Sequence, residues 1–463
     1  MEQDRVESVN AVGRLERIPV NGYFVFVLVL VGMGFTIETM DTTFTGLVAG
    51  IIIKSWSLPV GIIGLFTAMG PAGYLFGAGI GGGLSDKFGR RSVFLWTLVG
   101  ISVFSGLRFF VPHGNWELLG FLTAISWFFS GAETAVGTIY MNELITTKYR
   151  GTFTGLATGS FAWGLVLGTV LSLTIVVIGW RYLFLYTSVT AFAALILRPL
   201  LPESPRWLEA KGRLTQAENN LRKIEQKSAR RLGAELPPAK IIKVEPRRGT
   251  PFMLLWSSKY RSRTAVSWIA FFGQTAAYYG FFTWIYILLA SKGLTIEHSV
   301  VIILIAYVLG AVPGNTLSGF IADRIGRKKT VYAYLLGGGL SAAGLAASTN
   351  NIELILFLTL FAFFLNGAYP AIYTYVAEMY PTLARNTGLG AASAFSRIGA
   401  IFMPLAFAAM FPIAGFGGVF ALAALSMAAG GIVIFFFGTE TGKVLLERAS
   451  GEETVEVMGP ASE

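Results

Sequence analysis

Long apolar runs dominate the chain, each close to the ~20 residues a helix needs to cross a bilayer. They begin near Gly22, Pro59, Ser92, Trp116, Thr152, Tyr182, Ala265, Glu297, Thr330, Glu353, Gly388 and Phe416. The pattern predicts an all-α membrane protein of twelve transmembrane helices joined by mostly short loops. One long polar stretch interrupts the series. Within it Leu214 to Gln226 reads as a short amphipathic surface helix, and Arg231 to Gly249, with Pro237, Pro238 and Pro246, as a flexible linker. Met1 to Asn21 is polar and mixed in charge, and the run from Gly22 is too long for the h-region of a signal peptide. That run reads as a first span that stays in the protein.

Composition narrows the function. Of 463 residues, 54% are hydrophobic and 13% charged, with a mean hydropathy of +0.63; a soluble protein carries about 25% charged residues. With no cysteine, disulfides, thiolate metal sites and cysteine nucleophiles are excluded. Both histidines, His113 and His298, fall next to loops. No H-E-x-x-H, G-x-S-x-G or ATP-binding P-loop is present, which argues against an intramembrane enzyme or a primary pump. No metal or cofactor is expected.

The net charge of +10 is concentrated between Pro199 and Arg263, where fifteen Lys/Arg face six Asp/Glu. Basic loops of this kind follow from membrane insertion and mark the cytoplasmic side. No motif suggests nucleic acid as a partner. An even number of spans puts both termini on one side. If that side is the cytoplasm, inside segments carry 31 of the 36 Lys/Arg, leaving Lys54, Arg108, Arg181 and Lys292 at or near the outer face and Arg397 within a span. The expected location is the plasma (inner) membrane. Glycine-rich stretches such as Gly337 to Gly339 let helices approach closely in lipid.

The two halves repeat one another. Gly82-Gly-Leu-Ser-Asp86-Lys-Phe-Gly89-Arg90-Arg91 follows the second span, and Gly319-Phe-Ile-Ala-Asp323-Arg-Ile-Gly326-Arg327-Lys328 the eighth, with their aspartates 237 positions apart. The fourth span ends Tyr140-Met-Asn-Glu143 before Arg150; the tenth ends Tyr375-Val-Ala-Glu378 before Arg385. Glu203, in Pro202-Glu203-Ser-Pro-Arg206-Trp-Leu, corresponds to Glu440. A duplicated six-helix unit follows: tail 1–21, N-terminal bundle 22–201, basic linker 202–263, C-terminal bundle 264–438, tail 439–463.

On these motifs the chain resembles the major facilitator superfamily over essentially its whole length. The Pro-Glu-Ser-Pro-Arg-Trp-Leu segment is similar to the sugar porters and their organic-ion and synaptic-vesicle-glycoprotein relatives. The resemblance implies two pseudo-symmetric six-helix bundles, a small-molecule substrate and a monomer in the bilayer. It also implies that Asp86, Arg90, Arg91, Glu143, Arg150 and Glu203, with Asp323, Arg327, Glu378, Arg385 and Glu440, latch the cytoplasmic side.

Ionisable residues within spans are costly, by ~2.5–3.5 kcal/mol or more, and mark functional positions. Glu38 and Asp41 share a face of the first helix, roughly 24–29 Å along it from Gly22. Glu133 lies mid-way along the fourth span. By resemblance to sugar porters Asp41 is the proton acceptor, but Trp127 stands where their span-four arginine is expected. Asp41, Glu133 or Glu38 is therefore the expected proton site, the alternative being carboxylates hydrogen-bonded between helices. Arg397, about 13 Å into the eleventh span, resembles the arginine of organic-anion transporters; it offers a bidentate carboxylate site or an internal pairing. Span seven keeps Gln274 and the pair Tyr278 and Tyr279. With Trp163, Phe161, Tyr369 and Tyr373 it suggests an aromatic substrate cavity, and a neutral sugar would rely on Gln274 and Asn366. The leading expectation is proton-coupled symport of an organic anion, with sugar, polyol or organic-cation transport, or a non-transporting sensor, as alternatives.

Overall fold

The computed structural model describes residues 9–174, 178–232, 235–239, 251–380 and 384–441, and every regular element among them is helical. A short α1 (Ala11–Glu16) precedes α2 (Gly22–Ser55), α3 (Val60–Phe88), α4 (Arg90–Leu107), α5 (Trp116–Leu144), α6 (Thr147–Ser172) and α7 (Arg181–Leu197). The surface helices α8 (Pro205–Ala210), α9 (Leu214–Leu232) and α10 (Pro251–Leu255) follow. Then come α11 (Arg261–Ser291), α12 (Ile296–Ala306), α13 (Val312–Ile325), α14 (Arg327–Ala347), α15 (Asn351–Glu378) and α16 (Arg385–Phe437). A single π-turn, Tyr307–Ala311, joins α12 to α13 as one span, just before Pro313, whose missing N–H and ring disfavour a regular helix there. Among the described residues nine helices are long and apolar enough to cross a membrane. With α7, α11 and the division of α16 they make the twelve expected spans.

The division of α16 falls just before Phe416, where the twelfth span is expected to begin, but its form is new. In place of a loop between spans eleven and twelve, the helix runs on for 53 residues and breaks its geometry only at Gly415, with φ 56° and ψ −149°. That region is open essentially to glycine alone. The amphipathic surface helix also runs further than expected, from Leu214 to Leu232; most of the linker to Gly249 lies outside the described residues.

Packing divides the chain into two units. The first is Met1–Pro246 with Tyr279–Tyr307 and Ile401–Ile413; the second is Arg247–Tyr278, Val308–Ala400 and Ala414–Glu463. Both are built on the same close approach. A Cβ at Gly73 or Gly77 of α3 would collide with the carbonyl oxygens of Ala124 and Phe128 on α5. In the second unit Gly310 and Gly314 meet Thr359 and Phe363 of α15 in the same way. Gly310 and Gly314 stand 237 positions after Gly73 and Gly77. The duplication read from the charged motifs thus extends into the helix interfaces.

These contacts involve backbone and cannot yield. Gly73→Ala is expected to destabilise the protein by about 1–3 kcal/mol through overpacking, seen as a lower melting temperature in detergent. Gly79→Ala, whose Cβ meets nothing within 4 Å, is the matched control. Equal melting of the two variants would contradict the interface.

The surface helices α8 and α9 are fastened to α1. Glu209 accepts hydrogen bonds from the backbone N–H of Val9, Asn10 and Ala11 at 2.7–3.0 Å. Arg14 pairs with Glu225 at 2.7 Å and also with Glu218. The Arg14 guanidinium holds the Glu218 carboxyl below its ordinary range.

Candidate functional site

Among its described residues the first unit buries two carboxylate–arginine pairs. Asp41, on a polar stripe of α2, accepts through Oδ1 from Arg108 Nη2 at 2.6 Å and from the Thr187 hydroxyl at 2.9 Å, and through Oδ2 from Trp127 Nε1 at 2.9 Å. The side chains of Arg108 and Asp41 are 0% and 2% exposed. Arg108 enters from the 3-10 turn that ends α4. It also donates to Ser105 Oγ at 2.7 Å and lies 4.2 Å from the centroid of the Phe184 ring. Trp127, which replaces the expected arginine, is thus a direct partner of Asp41. The cation comes from another helix end.

Glu133 is held likewise. Arg198, at the turn after α7, donates to its Oε1 at 2.5 Å, and Thr97 donates to Oε2. Arg198 also donates to the Leu30 carbonyl at 2.9 Å and stacks over Phe94. Gly34 leaves the room that Glu133 needs, since a Cβ there would strike its carboxylate. Glu38 accepts from Thr134 Oγ1 at 2.6 Å and from the Tyr74 hydroxyl at 3.5 Å.

The sequence reading gave neither arginine a carboxylate partner. Arg108, expected at or near the outer face, is buried against Asp41, and Arg198 is buried against Glu133 in the same way. The available signal was positional. Each arginine ends an apolar helix within a turn of further apolar residues, Phe109-Phe110 in one case and Leu200-Leu201 in the other.

In the second unit, Arg397 sits within α16 and is 6% exposed. One turn earlier on the same helix, Ser393 Oγ lies 3.2 Å from the Tyr373 hydroxyl, which accepts from Tyr369 at 3.0 Å. The rings of Tyr369 and Tyr373 are 4.7 Å apart, and Tyr278 extends the series at 6.5 Å from Tyr369. Gln274 and Asn366 are buried, donating to the Leu365 and Ala362 carbonyls. Trp163, in the first unit, is more than half exposed.

The signature residues form two matching clusters. Arg90 bridges Asp86 at 2.5 Å and Glu143 at 2.8 Å; Arg327 bridges Asp323 at 2.7 Å and Glu378 at 3.3 Å. Glu203 accepts the backbone N–H of Arg90, Arg91 and Ser204, and Glu440 those of Arg327 and Lys328. Each glutamate caps a helix N-terminus, where the aligned peptide dipoles favour an anion. Burial pushes the Glu203 carboxyl up, and these N–H donors oppose the rise. The repeated glycine has its reason here: Gly89 and Gly326 turn one helix into the next at φ 98° and 106°, a left-handed region that glycine enters without strain. Arg385 donates to the Ala377 carbonyl at 3.1 Å; the side chain of Arg150 lies outside the described residues.

A family model for "sugar (and other) transporter" matches residues 28–451. The niacin transporter NiaP of Acinetobacter baylyi is 30% identical over 444 residues, spanning 94% of this chain and 99% of its own. The putative niacin/nicotinamide transporter NiaP of Bacillus subtilis is 27% identical, over 81% of this chain and 85% of its own. Among solved structures, a partially occluded inward-open form of the xylose transporter XylE from E. coli matches with a TM-score of 0.73 at 17% identity. That match covers 90% of this chain and 100% of XylE; it is a likeness of fold.

Proposed function

Because the chain belongs to the sugar (and other) transporter family, and is therefore a multi-pass membrane transporter, we propose that it carries a small aromatic monocarboxylate of the niacin kind together with protons. The observation that carries this reading is Arg397, a guanidinium buried within an apolar helix. Its planar fork suits a carboxylate held by two parallel hydrogen bonds. Tyr278, Tyr369 and Tyr373, in the same unit as Arg397, offer aromatic faces for a flat ring, and Gln274 and Asn366 offer amides for a ring nitrogen. Two relatives named as niacin transporters agree with such a solute.

The proton would enter at Asp41, Glu133 or Glu38. A proton on Asp41 would take over a role now held by Arg108, whose contacts with Ser105 and Phe184 keep the guanidinium placed. Net uptake would then require the empty carrier to return deprotonated, whereas solute exchange would not. The signature clusters would latch the cytoplasmic side, where both termini lie, in a carrier that works as a monomer. Asp86→Asn is expected to raise labelling of cysteines placed on the cytoplasmic side of the cavity. Unchanged labelling would reject the latch.

Uptake of labelled nicotinate into proteoliposomes tests the function. Accumulation under an acid-outside gradient, abolished by a protonophore, is the expected result. Accumulation of a sugar in the absence of any nicotinate uptake would overturn the proposal and favour the second reading, a sugar symporter relying on Gln274 and Asn366.

A further inference from the structure

A cavity of about 610 Å³ opens between α9, the segment following α7 and the junction of α3 with α4. Arg91, Arg213, Lys223 and Lys227 line it, against one carboxylate, Glu203. Glu203 is committed elsewhere, its oxygens taken by backbone N–H groups of Arg90, Arg91 and Ser204. Arg213, Lys223 and Lys227 make no ion pair among the described residues. Tyr23 also lines the cavity; it is 3% exposed, and its hydroxyl has no hydrogen-bond partner among the described residues. A buried hydroxyl left unmatched is costly, so this one is available to a ligand.

We propose that this cavity binds a phosphate ester, and that the ester is the headgroup of an anionic phospholipid. Converging cations and a spare hydroxyl suit an anion with several acceptor oxygens. The volume would hold about twenty waters at ~30 Å³ each, more than bare phosphate fills. At its rim Phe88 and Leu200 are 43% and 57% exposed. Apolar side chains beside a cationic cavity, at the end of spanning helices, fit a ligand with a charged head and apolar tails. A basic cluster next to a membrane helix attracts anionic lipid by the same electrostatics. No part of this inference depends on the transported solute.

The test uses the purified full-length protein in detergent and a Lys223→Glu/Lys227→Glu variant. Both lysines are exposed on α9, so the exchange spares the packed core. Melting temperature and lipid retention by native mass spectrometry are read with phosphatidylglycerol, phosphatidylcholine or soluble glycerol 3-phosphate added. Phosphatidylglycerol should bind the wild type selectively, and the variant roughly tenfold more weakly. Tyr23→Phe, which removes only the hydroxyl, should weaken binding in the same direction. Stabilisation by glycerol 3-phosphate equal to that by phosphatidylglycerol would keep the phosphate site and reject the lipid as its source. Equal binding of phosphatidylglycerol and phosphatidylcholine, or an unchanged response in the lysine variant, would overturn the proposal.

Discussion

Arg108→Gln should be among the most damaging single substitutions in the chain, because it strands the buried carboxylate of Asp41. Removing one partner of a buried ion pair costs about 3–5 kcal/mol, since the remaining charge loses its counter-charge in a poorly polarisable interior. Asp41 is 2% exposed and its other donors, Thr187 and Trp127, are neutral. The variant is expected to melt much lower in detergent and to accumulate no solute. Asp41→Asn combined with Arg108→Gln removes both charges and should recover most of the stability. If Asp41 carries the coupling proton, the double variant will still exchange solute across the membrane but will not concentrate it under a pH gradient. Wild-type melting and wild-type accumulation by Arg108→Gln alone would show that the pair matters to neither property.

The second large effect is expected at Arg397. Lysine in its place keeps the charge but loses the two-pronged geometry. A hydrogen bond to a charged group contributes about 1.5–3 kcal/mol, so Arg397→Lys should weaken nicotinate binding roughly ten- to hundredfold. Nicotinamide, the neutral amide of the same ring, separates charge recognition from ring recognition. It should bind the wild type more weakly than nicotinate and lose less in the variant. Melting temperatures measured without ligand identify any loss that comes from folding instead. Equal affinity for acid and amide in both proteins would reject Arg397 as the carboxylate site.

Much of the fold could be read from spacing alone. The 237-residue offset between Asp86 and Asp323 recurs between Arg90 and Arg327, between Glu203 and Glu440, and between the glycines of the α3–α5 and α13–α15 contacts. Duplication copies backbone geometry, so a signature that demands a left-handed glycine in one half demands it in the other. The pairing inside the first unit was less legible. Asp41 and Glu133 advertise themselves as charges within apolar runs, but their partners lie at helix ends, where an arginine ordinarily reads as a residue reaching water. A side chain as long as arginine can turn inward from such a place, and nothing in one-dimensional spacing distinguishes the two directions. The break at Gly415 was hidden for another reason: the residues on either side are apolar and helical, so hydropathy marks two spans without showing how they join.

That join has a mechanical consequence. A flexible loop between two spans acts as a slack tether whose ends can wander before any force is felt. Gly415 allows almost none of this, because it supplies one pair of backbone torsions between two otherwise continuous helical segments. Displacement of the segment carrying Arg397 would therefore be passed along the chain towards Gly438 without first taking up a loop. Beyond it, Thr441 donates to Glu378 at 2.7 Å, beside the arginine cluster of the second unit. The helix carrying the candidate anion site and the charges at the far end of the next span are then joined without a loop, through a helix that holds Pro404 and Pro412 and turns at a residue that has no side chain.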